Sequence, residues 1–480
     1  MATRPNTESL LRCRSDGRQP ANLPPFGFVS MKRRMLLSAF AAAPLLAAHR
    51  LRGDGDFSMI SAGSRSTMED LMMNENSYPF LDDLRRRCYL YFEEAADPQT
   101  GLIADRGHAD GSSFSTYASS AGCGFGLAAH GVAANNGWIS KEEGASRVRK
   151  MLSFLVNEAE HERGLIYHFI DRMTGQRALD SEASTIDTAL LIAGAMHASQ
   201  VFQDDRELVE MADTLYERVD WRWMLGDNGC LHMGWQPEVG RLPYQWDRFS
   251  ELTILVLLAI GAPSSAIPPS CWNAWRRENV LHHQGESFIS YPPLFVHQYP
   301  QAFFDFRGIV SSDGRNYWRN SQLAHLAQIE FQQSLADQSP KRFGHYGEDL
   351  WGLTSSDSSS GYRDWGGPYE DGQAQPERGI DGTVVPSAAG GGLAIAPEQT
   401  MRTLQYQKNT FGESVYGRYG FVNAFNPRRG WIGSDVIGID TGITLLSASN
   451  LLEEGVWQPF MQHSAAQRAF RLAGFRPLTA

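Results

Sequence analysis

The feature that most constrains this chain is an apolar segment at residues 252–260, which contains one hydroxyl group and no charge. A helix that is apolar on every side must be buried inside a larger body. Glu251 stands at the head of this segment, and Asp247 lies four residues earlier, on the same face of a helix. A carboxylate entering a buried helix costs several kcal/mol unless it is paired or hydrated. Glu251 is therefore either a capping or pairing residue, with Arg248 close in sequence, or a functional carboxylate.

Helical hydrophobic patterns recur along the chain from Ser77 onward, whereas alternating strand patterns are few. Long segments rich in Gly, Trp and Asp separate the helices, and loops of this length inside a compact domain are commonly functional. These features predict an all-α fold, an (α/α)6 barrel with long functional loops. A solenoid of helix pairs is the alternative, but the chain has no repeat of fixed period. The predicted helices cover 81–91, 118–135, 141–158, 185–201, 206–224, 247–260, 269–279, 316–336, 397–407, 447–456 and 458–472, and the long loops cover 226–246, 343–396 and 411–442.

The N-terminal region has the pattern of an export signal. Met31, Lys32 and the pair Arg33-Arg34 precede an apolar run at 36–48 that ends in small residues. The arginine pair resembles a twin-arginine leader, and Met31 is the expected true start. The run is too short to span a bilayer, and no other segment reaches about 18 apolar residues. We therefore expect a periplasmic or secreted protein without a membrane anchor in its mature chain.

Three parts of the chain follow from this reading. Residues 1–53 form an N-terminal extension with the export signal, residues 54–75 a polar tether, and residues 76–475 a single domain, in which no linker is evident. The formal net charge of −11 argues against nucleic acid or an anionic membrane surface as the partner. We expect the protein to be a monomer.

Several chemistries have no support in the sequence. The five cysteines form no CxxC and no spacing with His that suits zinc, so we expect no metal site and buried free thiols rather than a disulfide framework. There is no GxSxG, no P-loop, no HExxH and no GxGxxG after a strand. Nucleophilic serine, phosphate and zinc chemistries are therefore disfavoured, and no cofactor is expected.

Carboxylates at predicted helix starts are the remaining candidates. Glu182 lies just before the N-cap candidates Ser184 and Thr185, and Asp187 falls in the first turn. The helix dipole favours carboxylates there, which by itself explains both residues. Asp440, between glycines in the sequence Gly-Ile-Asp-Thr-Gly, is either a turn residue or an accessible carboxylate.

Aromatic and polar side chains are concentrated in the long loops. Glycoside hydrolysis needs two carboxyl groups flanking the sugar bond and aromatic walls that hold the rings. One carboxyl group must be protonated at the working pH, which an apolar setting favours, and Glu251 has such a setting. The candidate substrate contacts are Asp187, Trp235, Trp246, His297, Arg307, Trp351 and Trp365.

Eight stretches, in order across residues 80–456, resemble the bacterial glycoamylase domain shared with the endo-β-1,2-glucanases and the cyclising domain of cyclic β-1,2-glucan synthases. They cover nearly all of the predicted domain and are far more specific than one motif. The stretches are FLDDLRRRCYLYFEEAADPQTGLIADR, GFGLAAHGVAANNGWISKEEG, SEASTIDTALLIAGAMHA, MGWQPE, PLFVHQYPQAFFDFRG, WGLTSSDSSSGYRDWGGP, DGTVVPSAAGG and GIDTG.

The resemblance implies an (α/α)6 barrel acting on β-1,2-glucan by hydrolysis or transglycosylation. It implies that Glu251 is the general acid, that Asp440 supplies the general base of the inverting members, and that Glu182 belongs to the acidic pocket. Two departures stand out: Pro-Gln-Ala-Phe at 300–303, where relatives often have Ser-His-Ala-Trp, and Ser355 in place of Ala. The first bears on subsite contacts, and hence on linkage or chain-length preference, rather than on the chemistry.

The resulting hypothesis is an exported glycoside hydrolase that cleaves β-glucan, most simply β-1,2-glucan, with an oligo- or polysaccharide as its partner. The alternatives within enzymes are a glucoamylase-type α-glucosidase, a β-1,2-glucan transglycosylase and a polysaccharide lyase, the last disfavoured by loops rich in carboxylates. The alternative outside enzymes is a carbohydrate-binding protein with a degenerate site, which would keep the aromatics and lose a carboxylate.

Overall fold

Apolar and amphipathic helices alternate along the chain. The computed structural model describes residues 77–368 and 379–478, so the predicted export signal and tether lie outside the described residues. The described residues fall within one compact unit. The α-helices are α1 Ser77–Glu94, α2 Ser120–Asn135, α3 Lys141–Asn157, α4 Thr185–Val201, α5 Arg206–Glu217, α6 Leu252–Gly261, α7 Tyr299–Phe303, α8 Tyr317–Gln338, α9 Pro340–Phe343, α10 Pro386–Gly390, α11 Pro397–Phe411, α12 Gly438–Glu453, α13 Trp457–Gln462 and α14 Ser464–Leu472.

Short antiparallel strands connect the helices. Ala183 pairs with Trp235, Ala118 with Ile170, and Arg106 with Ile437. The strands are β1 Arg106–His108, β2 Tyr117–Ser119, β3 His161–Glu162, β4 Leu165–Ile166, β5 Phe169–Asp171, β6 Ala183–Ser184, β7 Gly234–Gln236, β8 Gly240–Arg241, β9 Val280–His283, β10 Glu286–Ile289, β11 Ile309–Val310, β12 Tyr416–Gly417, β13 Gly420–Phe421, β14 Phe425–Asn426, β15 Trp431–Ile432, β16 Asp435–Ile437 and β17 Arg476–Pro477. Single turns of 3-10 helix occupy Trp221–Met224, Pro269–Asn273, Leu294–His297 and Gly412–Ser414.

The core consists of helices that are buried on almost every side. Every residue of α6 is buried, as are most residues of α2, α4 and α12. Amphipathic helices such as α3 and α5 bury one face and cover these core helices. The close contact between α2 and α4 depends on Gly124 and Gly194, because a Cβ atom at either position would collide with the backbone of the other helix. Glycine lowers the intrinsic stability of each helix, but it allows the two backbones to pack closely.

Helix boundaries correct three sequence predictions. Helix α6 begins at Leu252, so Asp247 does not share a helical face with Glu251; it instead forms an ion pair of 2.7 Å with Arg276. Helix α12 begins at Gly438 rather than near residue 447, which puts Asp440 in its first turn. The helix predicted at 269–279 is reduced to the 3-10 turn Pro269–Asn273.

Cysteine chemistry and membrane spans were also predicted from the sequence. The cysteines in the described part of the chain, Cys88, Cys123, Cys230 and Cys271, are free and buried, which confirms the expected thiols. Among the described helices, none has the length and apolar character needed to cross a membrane.

Candidate active site

The candidate site forms where the N-terminal ends of the buried helices meet. Asp187 lies in the first turn of α4, Glu251 precedes α6, and Asp440 lies in the first turn of α12. Tyr299, the first residue of α7, is near all three: burial raises the pKa of its phenol well above the ordinary value, and the charges of Asp440, Glu251 and Asp187 add to that rise. The positive ends of the helix dipoles favour this gathering of carboxylates.

Asp440 is a buried carboxyl group with a strongly raised pKa. Its Oδ1 accepts a hydrogen bond of 3.0 Å from the Ser387 hydroxyl in α10, and its Oδ2 accepts one of 2.6 Å from the Asn423 amide. Burial raises the pKa of Asp440 to about 7, although both hydrogen bonds act to lower it. A carboxyl group with this pKa exchanges a proton near neutral pH, as acid–base catalysis requires.

Glu251 is buried at the end of an entirely apolar helix. Its carbonyl accepts the 3.2 Å hydrogen bond from the Ile254 amide that opens α6. The side chain is only 6% exposed and makes no capping bond to the helix. The capping explanation considered from the sequence is therefore not supported, and the position suits a proton donor in a water-poor setting.

A histidine that the sequence analysis missed joins the other two carboxylates. The Nδ1 atom of His168 lies 3.5 Å from Glu182 Oε1, and its Nε2 atom lies 3.8 Å from Asp187 Oδ1. Burial lowers the pKa of His168, but the charge of Asp187 and the contact with Glu182 outweigh that effect and raise it to about 9. Conversely, burial raises the pKa of Glu182, but His168 more than offsets this and lowers it. His168 is thus a cation that favours the ionised form of Glu182.

The same three side chains form a group in which one ligand atom from each lies within 4.8 Å of the others. A metal would need a neutral imidazole. With its raised pKa, His168 is protonated at neutral pH. In the absence of a metal, the three side chains therefore form an ion-pair triad.

An arginine and three carboxylates form the neighbouring wall. The Nη1 atom of Arg106 lies 3.1 Å from Asp357 Oδ2 and 3.4 Å from Asp435 Oδ2, and its Nε lies 3.6 Å from Asp105 Oδ2. Burial lowers the pKa of Arg106, but these carboxylates raise it overall. The carbonyl of Asp105 accepts a 2.8 Å hydrogen bond from the Gly438 amide, so the wall is tied to the start of α12.

The two tryptophans near Glu182 differ in access. Trp235, in β7, is half-buried and lies beside Glu182 because β7 pairs with β6. The indole of Trp246 is buried, and its Nε1 donates a 2.9 Å hydrogen bond to Thr185 Oγ1 at the start of α4. Trp235 is available to a ligand, whereas Trp246 holds the helix that carries Asp187.

Three predicted substrate contacts, His297, Trp351 and Trp365, lie in the core. His297 is 1% exposed, and its Nε2 pairs with the Ser290 hydroxyl at 2.9 Å. Burial lowers its pKa well below the ordinary value, so the ring is neutral. The indoles of Trp351 and Trp365 are equally buried, and Trp365 donates to Ser356 Oγ at 2.8 Å. None of the three presents a face to a sugar.

Arg307, another predicted substrate contact, lies at the end of α12 opposite Asp440. It forms 2.8 Å ion pairs with Asp305 and with Glu454, which follows α12, and it stacks on Trp457. Asp440 is at the opposite end of this helix of 16 residues, a separation of about 20 Å at 1.5 Å per residue. The Pro-Gln-Ala-Phe departure is also a packing feature, since Gln301 is buried and donates to Tyr317 O and Ser321 Oγ, both at 3.0 Å.

One exposed aromatic residue beside the site was also missed. Tyr362 is 50% exposed, and the charge of Asp440 acts on its phenol. It belongs to a segment at 356–363, closed by backbone hydrogen bonds between Ser356 and Arg363, that we call the 356–363 loop. The sequence signal that could have identified Tyr362 is a segment rich in Ser, with one Gly, around a single Tyr.

The site thus combines carboxylates at helix N-termini with aromatic side chains at its border. Residues 243–464 match the model of the glycoamylase family, described as "Putative glucoamylase". The match confirms the resemblance noted in the sequence.

Individual relatives extend the comparison beyond these residues. The chain is 25% identical over 454 residues to an exo β-1,2-glucooligosaccharide sophorohydrolase (non-reducing end) of Parabacteroides distasonis. This match covers 87% of the chain but spans only 60% of the relative's length.

Solved structures share the fold. A Bacteroides fragilis protein, described as a "putative glucoamylase", superposes with a TM-score of 0.74 at 26% identity, covering 84% of this chain and 98% of that one. An endo-β-1,2-glucanase of Chitinophaga pinensis, in complex with sophorotriose and glucose, superposes with a TM-score of 0.75 at 24% identity, covering 84% of this chain and 99% of that one.

Proposed function

We propose that this protein is a glycoside hydrolase that cleaves β-1,2-glucan or its oligosaccharides. The proposal rests mainly on the positions of Glu251 and Asp440, each at the N-terminal end of a buried helix. Both lie close enough to the buried phenol of Tyr299 for their charges to raise its pKa. Two carboxyl groups facing one site are the minimum that glycoside hydrolysis needs. The relatives named for β-1,2-glucan support the choice of linkage.

In the proposed mechanism Glu251 is the general acid and Asp440 the general base. Glu251, buried beside an apolar helix, donates a proton to the leaving oxygen, directly or through a substrate hydroxyl. Asp440 in its ionised form activates water on the opposite face of the sugar if the enzyme inverts. Its hydrogen bonds from Ser387 and Asn423 hold the carboxylate in one orientation.

The remaining side chains bind the sugar in this proposal. Glu182 and Asp187, which both lie beside the His168 ring, accept hydrogen bonds from sugar hydroxyls. Trp235 and Tyr362, which are half-buried and exposed respectively, supply aromatic faces. Aromatic rings combine apolar area with little conformational freedom, which suits the faces of pyranose rings.

We further propose that the helices form an (α/α)6 barrel. The contacts α2–α4, α4–α6, α6–α7, α7–α12, α12–α10 and α12–α2 support an inner ring. A hydrogen bond of 2.7 Å from Gln298, which precedes α7, to the Ala388 carbonyl joins α7 to α10. The amphipathic helices would form the outer ring.

Export is a separate proposal that rests on residues 31–48. The basic start, the apolar run and the small residues that follow are those of a secretory leader. Fractionation of cells expressing the full chain, with Arg33 and Arg34 both changed to Lys as the control, tests it. Retention of the paired-lysine variant in the cytoplasm would support a twin-arginine leader.

The decisive experiment incubates the protein with linear β-1,2-glucan and, in parallel, with starch and β-1,3-glucan. Chromatography identifies the products, and their anomeric form reports inversion or retention. We expect short oligosaccharides from β-1,2-glucan alone. Glucose from starch would indicate a glucoamylase-type α-glucosidase, and larger or cyclic products a transglycosylase. No product from any glucan would contradict the proposal.

A further inference from the structure

Asn423 links the proposed base to the 356–363 loop through both atoms of its amide. The amide nitrogen donates a 2.6 Å hydrogen bond to Asp440 Oδ2, and the amide oxygen accepts a 2.8 Å hydrogen bond from the backbone N–H of Asp357. The N–H of Asp357 can only donate, so it fixes which end of the amide faces Asp440. Asn423 is 2% exposed, which makes both bonds costly to leave unmade.

The backbone around Asn423 closes this link into a ring of contacts. Its N–H donates a 2.9 Å hydrogen bond to the carbonyl of Asp435. The carboxylates of Asp435 and Asp357 both face Arg106. The residue before Arg106, Asp105, accepts the hydrogen bond from Gly438 that starts the helix carrying Asp440. The loop is therefore connected to Asp440 and the start of α12 in two ways, directly through the Asn423 amide and indirectly through Arg106 and Asp105.

We propose that Asn423 is a positioning residue that holds Asp440 in its working orientation only when the 356–363 loop is in place. The inference rests on the proposed function and deepens it. The position of the loop that carries the exposed Tyr362 would then determine the orientation of the Asp440 carboxylate. Ser387 is the matched comparison, because it also donates to Asp440 but belongs to α10 and not to the loop.

The charges that face Asp440 fix the direction of the effect. Asp357, on the loop, raises the pKa of Asp440, whereas Arg106, in β1, lowers it. The phenols of Tyr299, in α7, and Tyr362 also interact with it. Hydrogen bonds from Asn423 and Ser387 favour the ionised form. Loss of either donor therefore raises the pH below which the base is protonated.

The kinetic arm compares wild type with Asn423→Ala, Ser387→Ala and Asn426→Ala on linear β-1,2-glucan across pH. Asn426 is an equally buried asparagine, and its bonds go to Asp381 and Arg429. We expect Asn423→Ala to lower kcat about 10- to 100-fold with little change in KM, the effect of losing a hydrogen bond to a charged group. The acid limb of kcat/KM should move about one pH unit higher. Ser387→Ala should move the limb in the same direction, and Asn426→Ala should leave it unchanged.

The structural arm measures hydrogen exchange of peptides from the 356–363 loop. We expect faster exchange at Asp357 in Asn423→Ala only, because Ser387 and Asn426 do not contact this loop segment through the Asp357 amide. If Asn423→Ala does not fold, Asn423→Ser, which keeps a short donor, replaces it in both arms. An unchanged acid limb together with unchanged exchange would overturn the inference.

A third measurement separates this inference from the proposed function. If wild type hydrolyses no glucan, the proposed function fails, yet the titration of Asp440 can still be followed through thermal stability. The fall in Tm that accompanies ionisation of Asp440 should then lie at higher pH in Asn423→Ala than in wild type. The same pH in both proteins would overturn the inference alone.

Discussion

Arg177 forms an ion pair with Glu238, with 2.6 Å between Nη1 and Oε1. Its guanidinium also donates to the backbone carbonyls of Ser181, at 2.5 Å, and Asp180, at 2.7 Å. One side chain therefore ties the segment before Glu182 to the β7–β8 hairpin.

The bonds of Arg177 coincide with local backbone strain. Leu179 and Asp180 both have left-handed backbone conformations, with φ of 57° and 50°. Such conformations are unfavourable for residues with a Cβ atom and persist only where the surroundings enforce them. The side chain of Arg177 supplies that enforcement, and Glu182 follows directly.

Replacing Arg177 with Ala should release this segment. We expect Tm to fall by several degrees and kcat/KM to fall about 10-fold or more, because a misplaced binding group is costly in catalysis. Thermal unfolding measures the change in Tm, and the initial rate of product formation measures the change in kcat/KM. Arg241→Ala, which changes an exposed arginine in β8, is the control. Adding Leu179→Gly to the Arg177 variant should recover part of the lost stability, since glycine tolerates positive φ; no recovery would argue against the strain.

Replacing Glu251 with Gln should remove the proposed acid without changing the size of the side chain. We expect kcat on linear β-1,2-glucan to fall about 100- to 10,000-fold, with the thermal stability maintained. Glu278→Gln, which alters an exposed carboxylate paired with Arg276, should retain full activity. Substantial activity in Glu251→Gln would refute the assignment.

Replacing Asp440 with Asn should change how stability depends on pH. Because folding raises the pKa of Asp440 from 3.8 to about 7, the folded protein binds an extra proton between these values, and stability falls as pH rises through that window. The Asn variant lacks this term. Its Tm relative to wild type should therefore increase between pH 4 and pH 7 and level off above that, as measured by differential scanning calorimetry in buffers of constant ionic strength.

Replacing His168 with Gln should affect a higher pH window. The pKa of His168 is raised from 6.5 to about 9, so its stabilising contribution is complete below about pH 6.5 and is lost as pH rises through 9. Wild type should lose Tm across this window, whereas His168→Gln should start lower and stay level. His282→Gln, at an exposed position in β9, is the control. Equal pH profiles for wild type and His168→Gln would show that the ion-pair triad does not form.

Several helices were predicted correctly from patterns that are local in the sequence. Helix α4 has the predicted bounds, and α2, α3 and α8 start or end within two residues of theirs. Buried thiols and a buried α6 were also predicted, because apolar character along a helix depends only on neighbours in the chain.

Predictions that required contacts distant in sequence fared less well. The sequence analysis did not identify His168 and Asn423, because their partners are distant in the chain. Glu182 lies 14 residues from His168, and Asp357 lies 66 residues from Asn423. His297, Trp351 and Trp365 were assigned to the site from local composition, although side chains from other elements bury them.

The sequence by itself determined most of the long helices, the burial of α6 and the places of Asp187 and Glu251 at helix starts, because each depends on residues within one turn or one helix length. Only the tertiary structure decided which of these ends face one another. It placed Asp440 and Glu251 around Tyr299 and sent Arg307 to the far end of α12. Proton affinities were decided there too, since burial and the charge of a partner distant in the chain set the pKa values of Asp440 and His168.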